Sequence, residues 1–294
     1  MAELYGLPGV ESLRLRTNGI ELHAAAAGPP DGPLVLLLHG FPEFWFSWRK
    51  QIPFFAQQGY RVVAPDQRGY NLSGKPPGVA AYRVSELMGD VVALLAELGR
   101  DKVYLAGHDW GAIIAWGLAT YHPHLLHRAV ILNVPHPAVM RETLTRRREQ
   151  LRRSWYIFFF QLPFLPQWII SFRRYWLLRR SLQKTSLPGT FSEADLGHYV
   201  TAWQRPGAFN AMLNWYRAAV RYRNPASLQN GKKIEIPLLI LWGEQDAALL
   251  AEMAPQSLAY CAAGELRLFP DATHWLQHER SDEVNAAILG FLRS

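Results

Sequence analysis

The chain has 294 residues, 49% of them hydrophobic, which is enough to build one large α/β domain with a sizeable insertion. Its single cysteine, Cys261, excludes an internal disulfide and a cysteine-rich metal site, and its N-terminus and apolar runs predict neither a signal peptide nor a transmembrane segment. The net charge of +7 is uneven, because 15 Lys and Arg but only 4 Asp and Glu lie within residues 137–231. The single cysteine and the absence of both targeting signals lead us to expect a cytoplasmic protein without a metal.

The first 133 residues alternate short apolar runs with amphipathic segments. Asn18-Gly19 lies between two such runs and is typical of a tight hairpin turn. Residues 34–38 form an unbroken apolar run, which suits a strand buried on both faces of a mostly parallel sheet. The predicted order is strand 13–16, strand 22–26, strand 34–38, helix 48–57, strand 60–65, helix 84–99, strand 103–106, helix 110–121 and strand 128–133. This alternation indicates βαβ units and a parallel sheet.

The composition changes after residue 136. Arginine clusters alternate with aromatic residues between Arg146 and Arg180, and no clear strand occurs before Ile236. We predict an amphipathic helical cap with a solvated basic face, inserted between strands of one sheet. Contact of that face with an anionic membrane surface stays open, and nucleic acid is not expected. The domains are then residues 1–136 and 232–294 for the two parts of the core, with the cap at residues 137–231.

The sheet pattern resumes in the last 60 or so residues, as expected when a cap interrupts one α/β domain. The predicted order is strand 238–242, loop 243–246, helix 249–258, strand 265–269, a loop that contains His274, and helix 282–292. No internal repeat and no low-complexity tract occurs. The chain is therefore expected to complete its sheet after the cap.

A Gly-x-Asp-x-Gly motif around Asp109 is the most informative short pattern. It follows the predicted strand 103–106 and opens a helix, with Gly107 and Gly111 on either side of the aspartate. This is the frame of a nucleophile elbow that carries Asp where a serine usually stands. The glycines allow a strained turn, and the helix N-terminus favours negative charge beside Asp109. The motif predicts a carboxylate nucleophile, although taken alone it equally suits an aspartate N-cap in an ordinary βα turn.

Two further residues complete a catalytic constellation. Asp246 follows strand 238–242 and His274 follows strand 265–269, so nucleophile, acid and histidine occur in the chain order of the α/β-hydrolase fold. Sites in open α/β sheets form at the carboxyl ends of the strands, where all three residues fall. Each residue alone has an ordinary interpretation as a loop or cap residue. Their order and the His-Gly-Phe-Pro loop at residues 39–42 favour a triad of Asp109, Asp246 and His274.

Motifs along nearly the whole chain resemble the α/β-hydrolase-fold epoxide hydrolases. They are His-Gly-Phe-Pro-Glu at 39–43, Gly-His-Asp-Trp-Gly-Ala at 107–112, Trp-Tyr-Ile-Phe-Phe-Phe-Gln-Leu-Pro at 155–163, Asn-Trp-Tyr-Arg at 214–217, Trp-Gly-Glu-Gln-Asp at 242–246 and Thr-His-Trp at 273–275. The two tyrosine-bearing cap motifs are the most specific. The resemblance implies an α/β-hydrolase fold, with a mostly parallel central sheet flanked by helices and an inserted helical cap. It also implies that Tyr156 and Tyr216 point from the cap toward Asp109.

The resemblance further implies that water and a small apolar epoxide react in two steps, with no cofactor. In the first, Asp109 attacks a saturated ring carbon and forms a hydroxyalkyl ester. Tyr156 and Tyr216 would hydrogen-bond and protonate the leaving oxygen, which is otherwise a poor leaving group. From composition alone, however, both tyrosines are ordinary aromatic residues of the cap core.

In the second implied step, water hydrolyses the ester and releases a vicinal diol. His274, oriented by Asp246, would activate the water, and the backbone N–H groups of Phe41 and Trp110 would hold the oxyanion. An apolar substrate pocket is expected to include Phe41, Pro42, Trp110 and Trp275, although each also suits ordinary packing. A monomer and a homodimer both stay open.

Other protein classes predict different residues. A haloalkane dehalogenase shares the fold and the Asp-Trp elbow, but it needs halide-binding donors, usually carries Asn where Phe41 stands, and lacks the tyrosine pair. A fluoroacetate dehalogenase would carry arginines in place of Trp110 and Ile113, and an esterase would carry serine at the elbow. A non-catalytic protein that binds membrane surfaces through its basic cap is a third class. It predicts binding to anionic vesicles without turnover.

Overall fold

The centre of the molecule is an eight-stranded sheet within residues 4–222 and 233–294, the part of the chain that the computed structural model describes. The predicted boundary between cap and core at residues 231 and 232 lies outside the described residues. The strands are β1 Glu11–Arg16, β2 Glu21–Ala27, β3 Leu34–Leu38, β4 Arg61–Pro65, β5 Val103–His108, β6 Leu126–Leu132, β7 Leu238–Gly243 and β8 Gly264–Phe269. They lie in the order β1-β2-β4-β3-β5-β6-β7-β8. Of the neighbouring strand pairs in this order, β1 with β2 and β2 with β4 are antiparallel and the others are parallel. The predicted mostly parallel sheet is therefore confirmed.

Twelve helices occur in the same described ranges, and six of them belong to the core. The core helices are α1 Gln51–Gln57, α2 Val84–Glu97, α3 Trp110–Tyr121, α10 Met253–Leu258, α11 Leu276–Glu279 and α12 Ser281–Arg293. Every residue of β3 and of β7 is buried, because both sequences are continuous apolar runs. α1 packs against β4, α3 against β5 and β6, and α12 against β7. The helices thereby cover the sheet and position the loops at the carboxyl ends of its strands.

The helical cap is inserted between β6 and β7. It contains α4 Pro137–Arg146, α5 Arg148–Arg153, α6 Trp155–Phe159, α7 Leu165–Thr185, α8 Glu193–Trp203 and α9 Ala208–Arg221. α7 is broken by a kink in which Arg173, Arg174 and Tyr175 have positive φ. The indole N–H groups of Trp203 and Trp215 donate to the carbonyl oxygens of Pro42 and Arg68, at 2.5 and 2.9 Å. Because these acceptors follow β3 and β4, the cap is held over the carboxyl ends of the central strands.

Two predicted helices start later in the structure than in the sequence analysis. The predicted helix 48–57 is a 3₁₀ turn at Trp45–Trp48 followed by α1. Pro53 lies in the first turn of α1 and cannot continue a helix from upstream, because it lacks an N–H and its ring would clash with the preceding turn. The predicted helix 249–258 begins only at Met253, and the residues before it belong to the loop of Asp246, whose side chain accepts the N–H groups of Ala248 and Leu249.

Candidate active site

Asp109 lies at a sharp turn between β5 and α3. Its backbone has φ 50° and ψ −120°, which is a strained conformation for a residue with a side chain. A Cβ on Gly111 would collide with the carbonyl oxygen of Leu38, and a Cβ on Gly107 would collide with the carbonyl oxygen of Gly111. The turn therefore requires glycine at both positions. The predicted elbow is present, and it places Asp109 just beyond the carboxyl end of a central strand.

The Asp109 carboxylate lies between a backbone N–H group and the histidine. The Phe41 N–H donates to Oδ1 of Asp109 at 2.6 Å, while Oδ2 lies 3.8 Å from Nε2 of His274. Trp110 is the first residue of α3, and the first N–H groups of a helix have no acceptor within that helix. The positive end of the α3 dipole also favours negative charge at this point. One carboxylate oxygen is therefore held by the backbone, and the other faces the histidine.

His274 and Asp246 form a buried hydrogen-bonded pair beside the nucleophile. Nδ1 of His274 lies 2.6 Å from Oδ2 of Asp246. Oδ1 of Asp246 accepts the N–H groups of Ala248 and Leu249 at 2.7 and 2.9 Å. The structure thus brings the three residues of the predicted triad together from the ends of β5, β7 and β8.

Burial and charge act against each other in this pair. Burial alone would lower the pKa of His274, but the charge and hydrogen bond of Asp246, followed by the charge of Asp109, raise it to about 9. Burial also disfavours the ionised form of Asp246, but the charge and hydrogen bond of His274 and a further hydrogen bond from Asn133 hold the pKa of Asp246 below its ordinary value. At neutral pH the free site therefore contains an imidazolium between two carboxylates.

Asn133 is a site residue that the sequence analysis did not identify. It directly follows β6, has φ 48°, and donates from Nδ2 to Oδ2 of Asp246 at 2.8 Å. Its Oδ1 accepts the Gly243 N–H at 2.9 Å. Asn133 therefore orients the catalytic acid and joins the ends of β6 and β7. The available signal was a polar residue directly after the apolar run 129–132, on the same sheet edge as Asp109.

The cap contacts the loop of the catalytic acid through α5. Buried Gln150 donates to the carbonyl oxygen of Ala248 at 2.8 Å and accepts the Leu250 N–H at 3.1 Å. Arg153 donates to the carbonyl oxygen of Asp246 at 2.8 Å and also lines the cavity described below. The sequence analysis placed Arg153 on a solvated basic face. The structure corrects this placement, because the acid loop supplies a carbonyl acceptor from 93 residues further along the chain.

Tyr156 of α6 and Tyr216 of α9 approach the nucleophile from the cap. Their ring centroids are 5.9 Å apart, and the Tyr216 ring also packs edge-on against Phe41 at 5.2 Å and Trp110 at 5.0 Å. Burial raises the pKa of both tyrosines, and the negative charge of Asp109 raises it further. Both phenols are therefore protonated at neutral pH and able to donate a proton.

Two polar side chains join the segments that carry the tyrosines. Nε2 of Gln161 donates to the carbonyl oxygens of Ile157 and Tyr216, at 3.0 and 3.2 Å. Arg217, which is buried, donates to the carbonyl oxygens of Phe160 and Leu162 at 3.0 and 3.1 Å. Gln161, just after α6, thereby binds α9, and Arg217 of α9 binds the chain just after α6, so the two side chains set the position of one tyrosine relative to the other.

A cavity of about 550 Å³ contains the nucleophile, the histidine and both tyrosines in its wall. Phe41, Pro42 and Trp275 also line it, while the Trp110 ring packs behind Tyr216 instead. Most of the remaining wall is apolar and includes Phe159, Phe160, Ile170, Leu178, Leu182 and Leu249. Such a cavity suits a small apolar molecule that reacts at its inner end.

Glu43 is a second buried charge close to the site. It accepts hydrogen bonds from the Tyr199 hydroxyl at 2.6 Å and from Nε2 of His278 at 2.7 Å. Burial disfavours its ionised form, but His278 and His108 together hold the pKa of Glu43 well below its usual range. His108 in turn lies 2.8 Å from the carbonyl oxygen of His274. His108 therefore connects the buried Glu43 network to the backbone of His274.

The polar groups that line the cavity include a carboxylate, an imidazole and two phenols. Within residues 4–222 and 233–294, no group of three or more His, Cys, Asp or Glu side chains is arranged to hold a metal ion. The carboxylate is able to act as a nucleophile, the imidazole as a base and the phenols as proton donors.

The fold is that of the α/β hydrolases, and the elbow of this site carries an aspartate. The chain belongs to the α/β-hydrolase fold family, whose family model matches residues 33–281, and its relatives there include many epoxide hydrolases. The AB hydrolase superfamily protein YfhM of Bacillus subtilis is 40% identical over 98% of this chain and 100% of its own length. Epoxide hydrolase 4 of Mus musculus is 37% identical over 96% of this chain and 79% of its own. A Bacillus megaterium epoxide hydrolase, solved in complex with an inhibitor, has a TM-score of 0.87 at 30% identity and covers 96% of this chain and 100% of its own.

Proposed function

We propose that the protein is an epoxide hydrolase that converts small apolar epoxides to vicinal diols with water and no cofactor. One observation carries the proposal: the same cavity has Asp109 and His274 in its core wall and the phenols of Tyr156 and Tyr216 in its cap wall. A carboxylate opens an epoxide efficiently only when the departing oxygen receives a proton. The tyrosines are proton donors that suit this task.

In the first step, Asp109 attacks a ring carbon through Oδ2, because its Oδ1 already accepts the Phe41 N–H. The new carbon–oxygen bond forms as the ring carbon–oxygen bond breaks, and the departing oxygen takes a proton from Tyr156 or Tyr216. The raised pKa of both tyrosines keeps them protonated until charge develops on that oxygen. The product of this step is a hydroxyalkyl ester on Asp109.

In the second step, water hydrolyses the ester. Ester formation removes the charge of Asp109, so one of the causes that raise the pKa of His274 disappears. The neutral imidazole, oriented by Asp246, then takes a proton from water, and the resulting hydroxide attacks the ester carbonyl. The Phe41 N–H and the Trp110 N–H stabilise the oxyanion, which collapses to release the diol and restore the carboxylate. The neutral imidazole arises when the imidazolium of the free site returns a proton to the tyrosinate that the first step leaves. When the oxyanion collapses and the ester carbon–oxygen bond breaks, the departing alkoxide takes the proton of the hydroxyl group that water added to the Asp109 carbonyl, so the diol, the carboxylate and the imidazolium are all restored.

A haloalkane dehalogenase is the alternative that uses the same nucleophile. It requires donors for a departing halide and has no need of a proton, because halides leave without one. The two tyrosines of this chain, and Phe41 in place of the Asn usual in that class, favour epoxide opening.

Product analysis tests the proposal. The purified protein is offered an aryl epoxide, a fatty epoxide and a chloroalkane in parallel, and we expect diol from an epoxide without halide from the chloroalkane. Halide release without diol would assign the protein to the dehalogenases and leave the tyrosine pair as packing residues. Absence of both products would contradict catalysis at Asp109.

A further inference from the structure

The outer surface of the cap is rich in exposed aromatic side chains. Phe164 is 83% exposed and Trp168 is 70% exposed, which are high fractions for large apolar residues. We name the aromatic patch by its members: Trp155, Phe158, Phe164, Trp168, Phe172 and Trp176. Scattered apolar residues need no explanation, but this number within one short segment indicates an interaction surface.

The same segment is strongly basic. Residues 148–184 contain eight Lys and Arg but only one acidic residue, Glu149. The guanidinium groups of Arg173 and Arg180 lie over the rings of Phe172 and Trp176, 5.5 and 5.3 Å from the ring centroids. The segment that carries the exposed rings therefore also carries the positive charges, and two of its arginines lie over two of its rings.

We propose that the aromatic patch docks on an anionic lipid bilayer, with its rings at the level of the headgroups and its arginines on the lipid phosphates. Aromatic residues interleaved with Lys and Arg are the composition that binds such interfaces. A second copy of this chain suits the surface less well, because a symmetric contact would bring the arginines against themselves. No helix in the described residues is long and apolar enough to span a bilayer. The contact is therefore with the membrane surface.

The aromatic patch borders the mouth of the catalytic cavity. Trp155 and Leu177 are 62% and 43% exposed, yet both line the cavity. A docked cap therefore brings the cavity mouth to the bilayer, where apolar molecules concentrate. Delivery of epoxides from the lipid rests on the proposed function, whereas docking itself does not. Apolar substrates would then enter the cavity without crossing bulk water.

Co-sedimentation of the full chain with vesicles, in the absence of substrate, tests the docking. One set of vesicles contains phosphatidylcholine alone, and the other also contains phosphatidylglycerol. We expect binding to the anionic vesicles to be at least about tenfold stronger and to weaken as salt is added. Equal binding to both sets, or no binding to either, would overturn the proposal.

An aromatic variant, Phe164→Ser with Trp168→Ser, tests the patch directly. Neither residue lines the cavity, and both are exposed, so the fold and the turnover of a water-soluble epoxide are expected to be unchanged. Vesicle binding is expected to fall about tenfold or more, because the apolar contact with lipid is lost. The matched control is Tyr121→Ser with Leu268→Ser, which replaces two exposed hydrophobic side chains outside the cap, in α3 and β8. This variant should bind vesicles as strongly as the parent. Equal losses in both variants would overturn the role of the patch.

A charge variant, Arg173→Gln with Arg174→Gln, keeps the rings and removes two positive charges. Binding to anionic vesicles should fall about 30-fold, while weak binding to phosphatidylcholine stays the same. The control, Arg14→Gln with Arg16→Gln, changes two exposed arginines of β1.

Sedimentation velocity tests whether the aromatic patch instead binds a second copy of the chain. The proposal would be overturned if the parent forms a dimer and binds no vesicles, and if the aromatic variant is a monomer. The patch would then be assigned to self-association. Vesicle binding without diol formation would contradict the proposed function alone.

Discussion

The two walls of the cavity are built from different kinds of contact. In the core wall, Asp109 is fixed by a strained backbone turn, and Asp246 and His274 are fixed by short buried hydrogen bonds. In the cap wall, Tyr156 and Tyr216 are held by ring contacts and by side chains that bind the backbone of the neighbouring segment. Hydrogen bonds thus hold the charged side chains of the core wall in place, whereas the position of the tyrosines in the cap wall depends on how the cap helices pack.

This difference predicts that the two walls control different steps. In the proposed mechanism, Asp109 and His274 gain and lose charge as the ester forms and is hydrolysed, and hydrogen bonds that are already in place in the core wall would stabilise those changes. The proton donors act only while the epoxide ring opens, so changes in the cap wall should slow ester formation and spare ester hydrolysis. The variants below separate the two walls, from the largest expected effect to the smallest.

Asp109→Ala should have the largest effect, because it removes the carboxylate that forms the ester in the proposed mechanism. Diol formation is expected to fall by about 10⁴-fold or more. In the parent, a single turnover in heavy-oxygen water should give unlabelled diol and a labelled Asp109, since the added oxygen comes from the carboxylate. Asp101→Ala, which changes an exposed aspartate, is the matched control. Labelled diol in the first turnover would contradict the ester.

His274→Gln should stop the reaction between the two steps. The ester is expected to form, but turnover should fall by about 10² to 10⁴-fold because no base activates the water. Intact-protein mass spectrometry should then show one added substrate, which persists after free substrate is removed. His124→Gln, at an exposed histidine, should turn over normally. A variant that neither accumulates ester nor releases diol would argue against separate roles for the two walls.

Tyr156→Phe combined with Tyr216→Phe should slow only the first step. Ester formation is expected to fall by about 10²-fold, because the leaving oxygen loses its proton donors while the rings remain. Rapid-quench measurement of ester formation and decay gives the two rates separately. Tyr175→Phe is the matched control, because Tyr175 is a buried cap tyrosine whose hydroxyl donates to the carbonyl oxygen of Trp203 and which does not line the cavity. Slower decay of the ester would place the tyrosines in the second step as well.

The pH dependence of ester hydrolysis should report on the core wall alone. Asp246 and Asp109 raise the pKa of His274 to about 9 in the free site, and ester formation removes the Asp109 charge. Because loss of the Asp109 charge lowers the pKa of His274, this pKa should be below 9 in the ester. The rate of ester hydrolysis should therefore rise with pH, with a midpoint below 9, as His274 loses its proton. Asp246→Asn should lower that midpoint further while it slows the step. A rate that falls as pH rises would contradict the role of His274 as base.

Arg217→Lys should have the smallest effect. Lysine cannot make both hydrogen bonds to Phe160 and Leu162, so the free energy of unfolding should fall by about 1 to 2 kcal/mol. Ester formation should slow a few-fold as the tyrosine pair loosens, and ester hydrolysis should be unchanged. Arg221→Lys, an exposed change on the same helix, is the control for urea unfolding and for both rates. If the rates of ester formation and ester hydrolysis fell by the same factor, Arg217 would support the whole fold rather than the cap wall.

The sequence by itself determined the sheet, the elbow and the chain order of the triad. Each of these depends on features that are local in the chain: an apolar run such as residues 34–38, two glycines beside Asp109, or one polar residue after a strand. Parallel strands then bring the residues after β5, β7 and β8 to the same edge, because their carboxyl ends coincide. The position of Asp246 next to His274 therefore followed from topology.

Only the tertiary structure decided which distant side chains support these residues. Asn133 binds Asp246 across 113 positions, and Arg153 reaches the same loop from the cap. The Trp110 ring supports Tyr216 instead of lining the cavity, and Leu249, predicted to begin a helix, lies in the loop whose N–H groups bind Asp246. Spacing along the chain carries no information on such partners, since hydrogen bonds and ring contacts are chosen by distance in space after the cap has folded onto the core.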